Sequence, residues 1–376
     1  MDTKVNTAQT ERIKLAVNNL NFYYGKFHAL KNINLTLHAG EVLGISGLLG
    51  SGRTALAKAL FGLVAPDRGT ITLNGQRVPT GNPLAAAEAG IDFIDTADMY
   101  PLGAPPELFG RTEEIVGKWL KGRREEFIVA TKCFFPTGKK AWEAGNSRHN
   151  IMRSVDISLK RLGTDYIDLY QVHSWDAETR VDETLTAMDD LVKSGKVRYV
   201  GCSNFLSYQL ARSVGRAEVL GVSGFECVQP RYNMLFRENE RELLPLCAEE
   251  NIAVIPYNPL AGGFLSGKHM RGAPTEGGRF TLGFAAGRYQ DRYWHDRMFD
   301  TVDQLRPIAE EAGVSMATLA VQWVIANPTI TSPIIGASRP DQIADPVAAV
   351  GAPIDTGIKA RIDELTYEYR FGDNAR

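Results

Sequence analysis

Two sets of residues in this 376-residue chain have types and spacing suited to chemistry. The first is Gly47-Leu-Leu-Gly-Ser-Gly-Arg-Thr54, a glycine-rich turn between the apolar run 41–46 and the helical run 55–61. Strand, glycine loop and helix together aim backbone N–H groups and a helix N-terminus at a phosphate. The spacing is that of a P-loop, with Arg53 where the loop's lysine should stand. Arginine keeps the charge but substitutes a planar fork for a compact ammonium. The second set lies at the C-terminal ends of short apolar runs: Asp95, Lys132, His173, Ser203 with Asn204, Gln229, Tyr257, and Gly336 with Ser338. Taken singly, each has a plain structural reading. Asp95 could start a strand-end turn, Lys132 could be a surface lysine on a buried stem, and His173 a satisfied core histidine.

The elements that would position the second set start near residue 84. Apolar runs at 93–97, 127–132, 167–173, 197–203, 226–229, 253–257 and 334–336 predict strands, and 112–120, 150–162, 181–193, 240–250 and 315–326 predict helices. Such alternation predicts an α/β fold, a (β/α)8 TIM-type barrel, in which function collects at the strands' C-terminal ends. A doubly wound sheet is the alternative, but no GxGxxG follows any of these strands. The stretch 267–295, with Gly277 and Gly278, has little periodicity and reads as a long barrel loop of the kind that covers ligands. Upstream, residues 13–24, 33–37 and 41–46 read as strands.

Composition narrows the classes. With 44% hydrophobic residues, 23% charged residues and a net charge of −2, the chain is an ordinary globular one. Near-neutral charge gives no case for nucleic acid. No stretch approaches the roughly 18 consecutive apolar residues of a membrane span. Residues 1–12 are polar, unlike a secretory signal. Cys133, Cys202, Cys227 and Cys247 lack CxxC or zinc spacing, so a reduced, cytoplasmic protein without a metal site is expected. The average hides a split. Residues 1–83 carry a charge balance of +5 and residues 84–376 one of −7, and every tryptophan and cysteine follows residue 83. Two domains are expected, 1–83 and 84–376.

Residues 12–91 resemble the first part of an ABC-transporter nucleotide-binding domain, nearest the degenerate second cassette of bacterial monosaccharide importers. The resemblance rests on Tyr23 and Tyr24, Ala29-Leu-Lys-Asn-Ile33, Gly47 to Thr54, Ala59-Leu-Phe-Gly62, Gly69-Thr-Ile71 and Asn74-Gly75. No LSGGQ-type signature, Asp-Glu strand end or switch histidine follows. Without the acidic residue for Mg²⁺ and the glutamate for water, ATP hydrolysis lacks its parts. ATP at Gly47 to Thr54 is the disfavoured assignment, and a structural or vestigial role the favoured one.

Residues 84–376 resemble the aldo-keto reductases. The motifs are Asp95-Thr-Ala-Asp-Met-Tyr100, Ala130-Thr-Lys132, Leu169-Tyr-Gln-Val-His173, Gly201-Cys-Ser-Asn-Phe205, Gln229-Pro-Arg-Tyr-Asn233, Pro256-Tyr-Asn-Pro-Leu260 and Ile335-Gly-Ala-Ser-Arg-Pro-Asp-Gln342. Leu260-Ala-Gly-Gly-Phe-Leu-Ser-Gly-Lys268 points to bacterial members near the potassium-channel β-subunits. The resemblance implies reduction of a small-molecule aldehyde or ketone by hydride transfer from a nicotinamide cofactor. It makes Tyr100 the proton donor, Lys132 the cation that stabilises its phenolate, Asp95 the partner of Lys132, and His173 a donor to the substrate oxygen. It assigns Ser203, Asn204 and Gln229 to the nicotinamide amide and Tyr257 to its ring. Asn258, Leu260 and Ala261 are assigned to the pyrophosphate, with Lys268 near a phosphate. Gly336, Ser338, Arg339 and Gln342 are assigned to the adenosine phosphate. An arginine and a serine there suit a 2′-phosphate, so NADPH is favoured over NADH. Pro346 stands where the family usually has a polar residue reaching the adenine.

A family member should also open with an N-terminal hairpin and a first barrel strand, and neither is recognisable here. Ala89-Gly-Ile91 fits both families and is a plausible crossover point of a chimera. Seven strands leave a barrel with two edges. Residues 69–74 or 41–46 are therefore expected to fill the vacant place. The competing expectations are a folded but impaired chimera and a residual nucleotide-binding protein.

Overall fold

Our computed structural model describes residues 13–24, 27–38, 68–73, 76–77, 93–101, 104–272, 274, 278–281, 286–337 and 342–371. The chain divides into two units, Met1–Ile91 and Asp92–Arg376.

In the first unit, β1 (Ile13–Tyr24) and β2 (Phe27–His38) form an antiparallel hairpin. β3 (Arg68–Leu73) pairs with the other edge of β1, and β4 (Gln76–Arg77) completes the order β2-β1-β3-β4. Val17 and Leu20 are both buried although three residues apart, which would put them on opposite faces of a regular strand. The register shifts between them, and Asn19 takes φ of 50°, so an irregularity returns Leu20 to the face of Val17. β3 is thus paired in this sheet with β1 and, at Thr72 and Leu73, with β4, so the described part of the 69–74 candidate, residues 69–73, does not pair with the parallel strands of the second unit. The other candidate, 41–46, lies outside the described residues.

The second unit has six parallel strands: β5 (Phe93–Asp95), β6 (Ile128–Cys133), β7 (Ile167–Val172), β8 (Val197–Ser203), β9 (Cys227–Gln229) and β10 (Ala253–Val254). They are ordered sequentially, β10-β9-β8-β7-β6-β5. The 334–336 run is not a regular strand, yet it extends the series. Ile330 bridges Val254 in parallel, Thr331 N–H donates to the Val254 carbonyl at 2.8 Å, and Ile334 N–H donates to that of Pro256 at 2.8 Å. Helices α1 (Arg111–Leu120), α2 (Arg148–Leu162), α3 (Val181–Lys193), α4 (Ser207–Leu220) and α5 (Leu243–Glu249) alternate with the strands. After α6 (Ala286–Tyr293) come α7 (Asp296–Glu311), α8 (Met316–Ile325), α9 (Ala344–Gly351) and α10 (Thr356–Leu365). This is the α/β order of a TIM-type barrel. Part of the expected loop 267–295 is helical instead: in α6, Tyr289 and Tyr293 lie four apart and are buried together.

Strand alternation separates two cores. Val129, Cys133, Tyr170 and Val172 join the helices' apolar faces, Ile151 and Val155 of α2 among them. Ala130, Leu169, Cys227 and Ile255 pack with Phe93, Ala253 and Ile334 in a smaller cluster. Because the strands are parallel, their C-terminal residues gather at one end.

Candidate active site

Asp95 ends β5, Lys132 lies one residue before the end of β6, and His173 follows β7 directly. Lys132 is fully buried, and its Nζ donates to Asp95 Oδ2 at 2.5 Å and to the Thr96 carbonyl at 2.9 Å. Asp95 Oδ1 accepts from Gln229 Nε2 at 3.0 Å and from Gln171 Nε2 at 3.2 Å. Tyr100 lies in the turn after β5, its N–H donating to the Ala97 carbonyl at 3.1 Å. Lys132 Nζ is 5.5 Å from the centre of the Tyr100 ring, and the His173 ring lies edge-on to it at 5.8 Å. The His173 ring also meets that of Phe135, edge to face, with centroids 4.9 Å apart. Acid, ammonium, phenol and imidazole thus converge from three successive strand ends.

The electrostatics follow from burial. Burial works against the Lys132 charge, but Asp95 and Tyr100 outweigh it and hold the lysine pKa above its usual value. Burial raises the Tyr100 pKa by more than the Lys132 ammonium lowers it, and Asp95 adds to the rise. The cation therefore offsets part of the cost of a buried phenolate without making the phenol acidic at rest. Burial, with Lys132 second, pushes the His173 pKa well below the usual histidine range, so its ring is neutral at neutral pH.

A second cluster lies on the next strands. Ser203 Oγ donates to the Gln229 carbonyl at 2.8 Å, and Asn204 N–H to the same oxygen at 3.2 Å. Asn204 adopts φ of 57° and its Nδ2 donates to the His173 carbonyl at 3.0 Å. Tyr257 Oη donates to Asn204 Oδ1 at 2.7 Å. Gln229 is engaged through Nε2 with Asp95 and Gln171, so its amide N–H groups face the acid.

Beyond Tyr257 the chain makes a run of left-handed turns: Asn258, Ala261, Gly262 and Gly263 all have positive φ. Gly262 is required there, since a Cβ would lie 2.6 Å from the Tyr289 ring. Within this run the Leu260 carbonyl accepts from Gly263 N–H at 2.8 Å, and exposed Lys268 follows it. Gly336 is exposed, with the Arg279 guanidinium nearby, and Gln342 is half-buried. Pro346 is buried in α9. Ser338, Arg339 and the whole of Gly47 to Thr54 lie outside the described residues. Among the described residues no cluster of His, Cys, Asp or Glu could hold a metal ion. No described helix is long and apolar enough to cross a membrane.

The sequence reading missed Gln171 and Tyr289. Gln171 had a signal: it lies two residues before His173, and a period of two puts both on one face of β7. Tyr289, whose hydroxyl lies 3.3 Å from Asn258 Nδ2, comes from a stretch whose helix was not recognised. Asp98, inside the Asp95-to-Tyr100 motif, is a further surprise. It is 2% exposed, with no side-chain donor on its carboxyl oxygens among the described residues. Burial, with Glu113 adding and Arg161 opposing, pushes its pKa well above the usual carboxylate range.

Comparison with known proteins identifies the family. The profile of the Aldo/keto reductase family matches residues 84–366, and that of the ABC transporter family matches residues 30–102. An uncharacterized oxidoreductase of Bacillus subtilis, YrpG, is 34% identical over 287 residues, covering 74% of this chain and 84% of its own. A probable voltage-gated potassium channel subunit beta of Arabidopsis thaliana is 35% identical over 290 residues, covering 73% and 86%. The versiconal hemiacetal acetate reductase of Aspergillus parasiticus is 33% identical over 289 residues, covering 70% and 80%.

Proposed function

The chain belongs to the aldo/keto reductase family and is an oxidoreductase acting on carbonyl compounds; from that premise we propose that it reduces an aldehyde or ketone to the alcohol with NADPH, using Tyr100 as proton donor. The observation that carries this reading is the convergence of Tyr100, Lys132 and His173 around one point, with Asp95 paired to the lysine.

Carbonyl reduction needs a hydride at carbon and a proton at oxygen. NADPH, when bound, supplies the hydride. Tyr100 holds the proton until charge develops on the substrate oxygen, because its raised pKa keeps the phenol intact at neutral pH. Lys132 then stabilises the phenolate left behind, and Asp95 keeps that ammonium charged and in place. Neutral His173 keeps one ring N–H to donate to the substrate oxygen, so two donors share the developing alkoxide charge. Phe135 against His173 gives the substrate side an apolar wall, which suits an aromatic or hydrophobic carbonyl.

The residues present fit a dinucleotide. Ser203, Asn204, Gln229 and Tyr257 offer polar groups beside His173 for a carboxamide, and Tyr257 offers a ring for stacking. In the run from Asn258 to Gly263 the N–H groups of Ala261 and Gly263 are already bonded to the Asn258 and Leu260 carbonyls, so the exposed ammonium of Lys268 is the charge that this pyrophosphate path offers an anion. We assign Leu260 and Ala261 to that path and Gly336 and Gln342 to the adenosine phosphate, to which the family resemblance also assigns Ser338 and Arg339.

The test is NADPH oxidation with an aromatic aldehyde, with cofactor binding followed by tryptophan quenching. Tyr100→Phe is expected to bind NADPH as the parent does and to lose about 10²- to 10⁴-fold in kcat. A variant as fast as the parent would falsify the role given to Tyr100. Arg339→Ala is expected to narrow the preference for NADPH over NADH, and an unchanged ratio would remove the reason for naming NADPH.

A further inference from the structure

The loop carrying Tyr100 is gripped from behind by one guanidinium. Arg161, near the end of α2, donates from Nη1 to the Asp98 carbonyl at 3.0 Å and to Glu113 Oε2 at 3.1 Å, and from Nη2 to the Phe109 carbonyl at 3.2 Å. These carbonyls bracket Tyr100. Asp98 precedes it by two residues, and Phe109 adjoins Gly110, whose N–H donates to the Tyr100 carbonyl at 3.1 Å. Thr112 N–H reaches the same carbonyl at 3.3 Å. Glu113, fully buried on α1, accepts from Thr131 Oγ1 at 2.7 Å through its other oxygen. Thr131 is the neighbour of Lys132 on β6. Gly110 makes room for the clamp: its φ is 84°, and a Cβ there would lie 2.0 Å from Arg161 Cζ.

We propose that Arg161, with Glu113 and Gly110, is a positioning clamp that sets the distance between Tyr100 and Lys132. The proposal rests on the reading of Tyr100 as proton donor. One end of the network holds the main chain on both sides of the phenol, and the other holds the strand that carries the ammonium. Arginine is needed because its rigid fork reaches two carbonyls and a carboxylate at once, which a lysine ammonium on a flexible stem does not reproduce. Arg161 touches neither Tyr100's hydroxyl nor Lys132 in any contact above, so it acts through the backbone. Proton transfer is sensitive to misplacement on the ångström scale, which makes such a grip matter for rate.

The test uses the full chain as parent and as Arg161→Lys, with Glu113→Gln read in the same way should Arg161→Lys not fold. Four quantities are measured: kcat, the solvent deuterium isotope effect on kcat, NADPH affinity, and amide exchange at Tyr100 and Gly110. The clamp predicts a kcat lower by about 10- to 100-fold, a larger solvent isotope effect as proton transfer becomes limiting, an NADPH affinity near that of the parent, and faster exchange at both amides. A merely structural role would lower Tm without moving the isotope effect. A folded variant with parental kcat and isotope effect overturns the proposal. The two readings fail separately: a parent that binds NADPH but reduces no aldehyde overturns the donor assignment, whereas unaltered exchange in Arg161→Lys overturns the clamp whatever the parent does.

Discussion

Lys132 and Asp95 form a 2.5 Å ion pair in which the lysine side chain has no exposure and the aspartate only 6%. The two partners are not equally supported. Asp95 also accepts from Gln171 and Gln229, while Lys132 has the Thr96 carbonyl as its other hydrogen-bond acceptor.

That asymmetry predicts unequal costs. Asp95→Asn strands a buried ammonium and should cost about 3–5 kcal/mol of stability, the range for breaking a buried pair. Lys132→Met leaves a carboxylate that keeps two amide donors and should cost less. Urea unfolding of both variants checks the order. Equal costs would mean the two glutamines contribute nothing to Asp95.

His173 should carry no second ring proton through the neutral range, since burial and then Lys132 depress its pKa well below the usual value. The unfolded imidazole takes up a proton near pH 6.5. Below that pH the unfolded state binds more protons, so the stabilising contribution is present above about 6.5 and lost as pH falls towards the folded pKa. NMR titration of the His173 ring should show no inflection between pH 6 and 8. An inflection near 6.5 would contradict a buried neutral donor.

Asp98 has the opposite sign, because its folded pKa is raised. Its contribution is fully present below the unfolded value near 3.9 and is lost as pH rises through the folded pKa. Asp98→Asn removes a buried ionisable group and should raise stability at pH 8 by roughly 1–3 kcal/mol, with the gain shrinking towards pH 4. Calorimetry at both pH values is the measurement. A gain independent of pH would point to packing, not ionisation.

All four cysteines are buried and free, and burial raises the pKa of each, Cys247 to about 12. Thiolate is the reactive form, so the native protein should react with Ellman's reagent only on unfolding. Rapid labelling in the native state would show a more open strand layer at Cys133, Cys202 or Cys227, or a looser α5 at Cys247.

Much of the candidate site's placement was legible because its residues lie at strand ends, visible where an apolar run stops at Lys132 or Ser203; the run 93–97 ends two residues later than the strand, which stops at Asp95. Period two would also have revealed Gln171 beside His173. The antiparallel pairing of β3 was not legible, since a short apolar run is the same in a barrel and in a separate sheet until its neighbours are known. Nor was α6, whose buried face rests on two tyrosines in a polar, arginine-rich stretch.

By itself, the sequence determined the α/β order of the second unit, the family it belongs to, and the identity of an acid, a lysine, a tyrosine and a histidine at successive strand ends. The α/β order is read from local periodicity along the chain, and the family and the four residues from motifs that resemble those of the aldo-keto reductases. Only the tertiary structure decided how charge is held there. It set Gln229 against Asp95, buried the Asp98 carboxyl, let burial raise the Tyr100 pKa against the pull of Lys132, and closed Arg161 on both sides of that tyrosine's loop. Burial and donor geometry set those properties, and both arise between residues tens of positions apart.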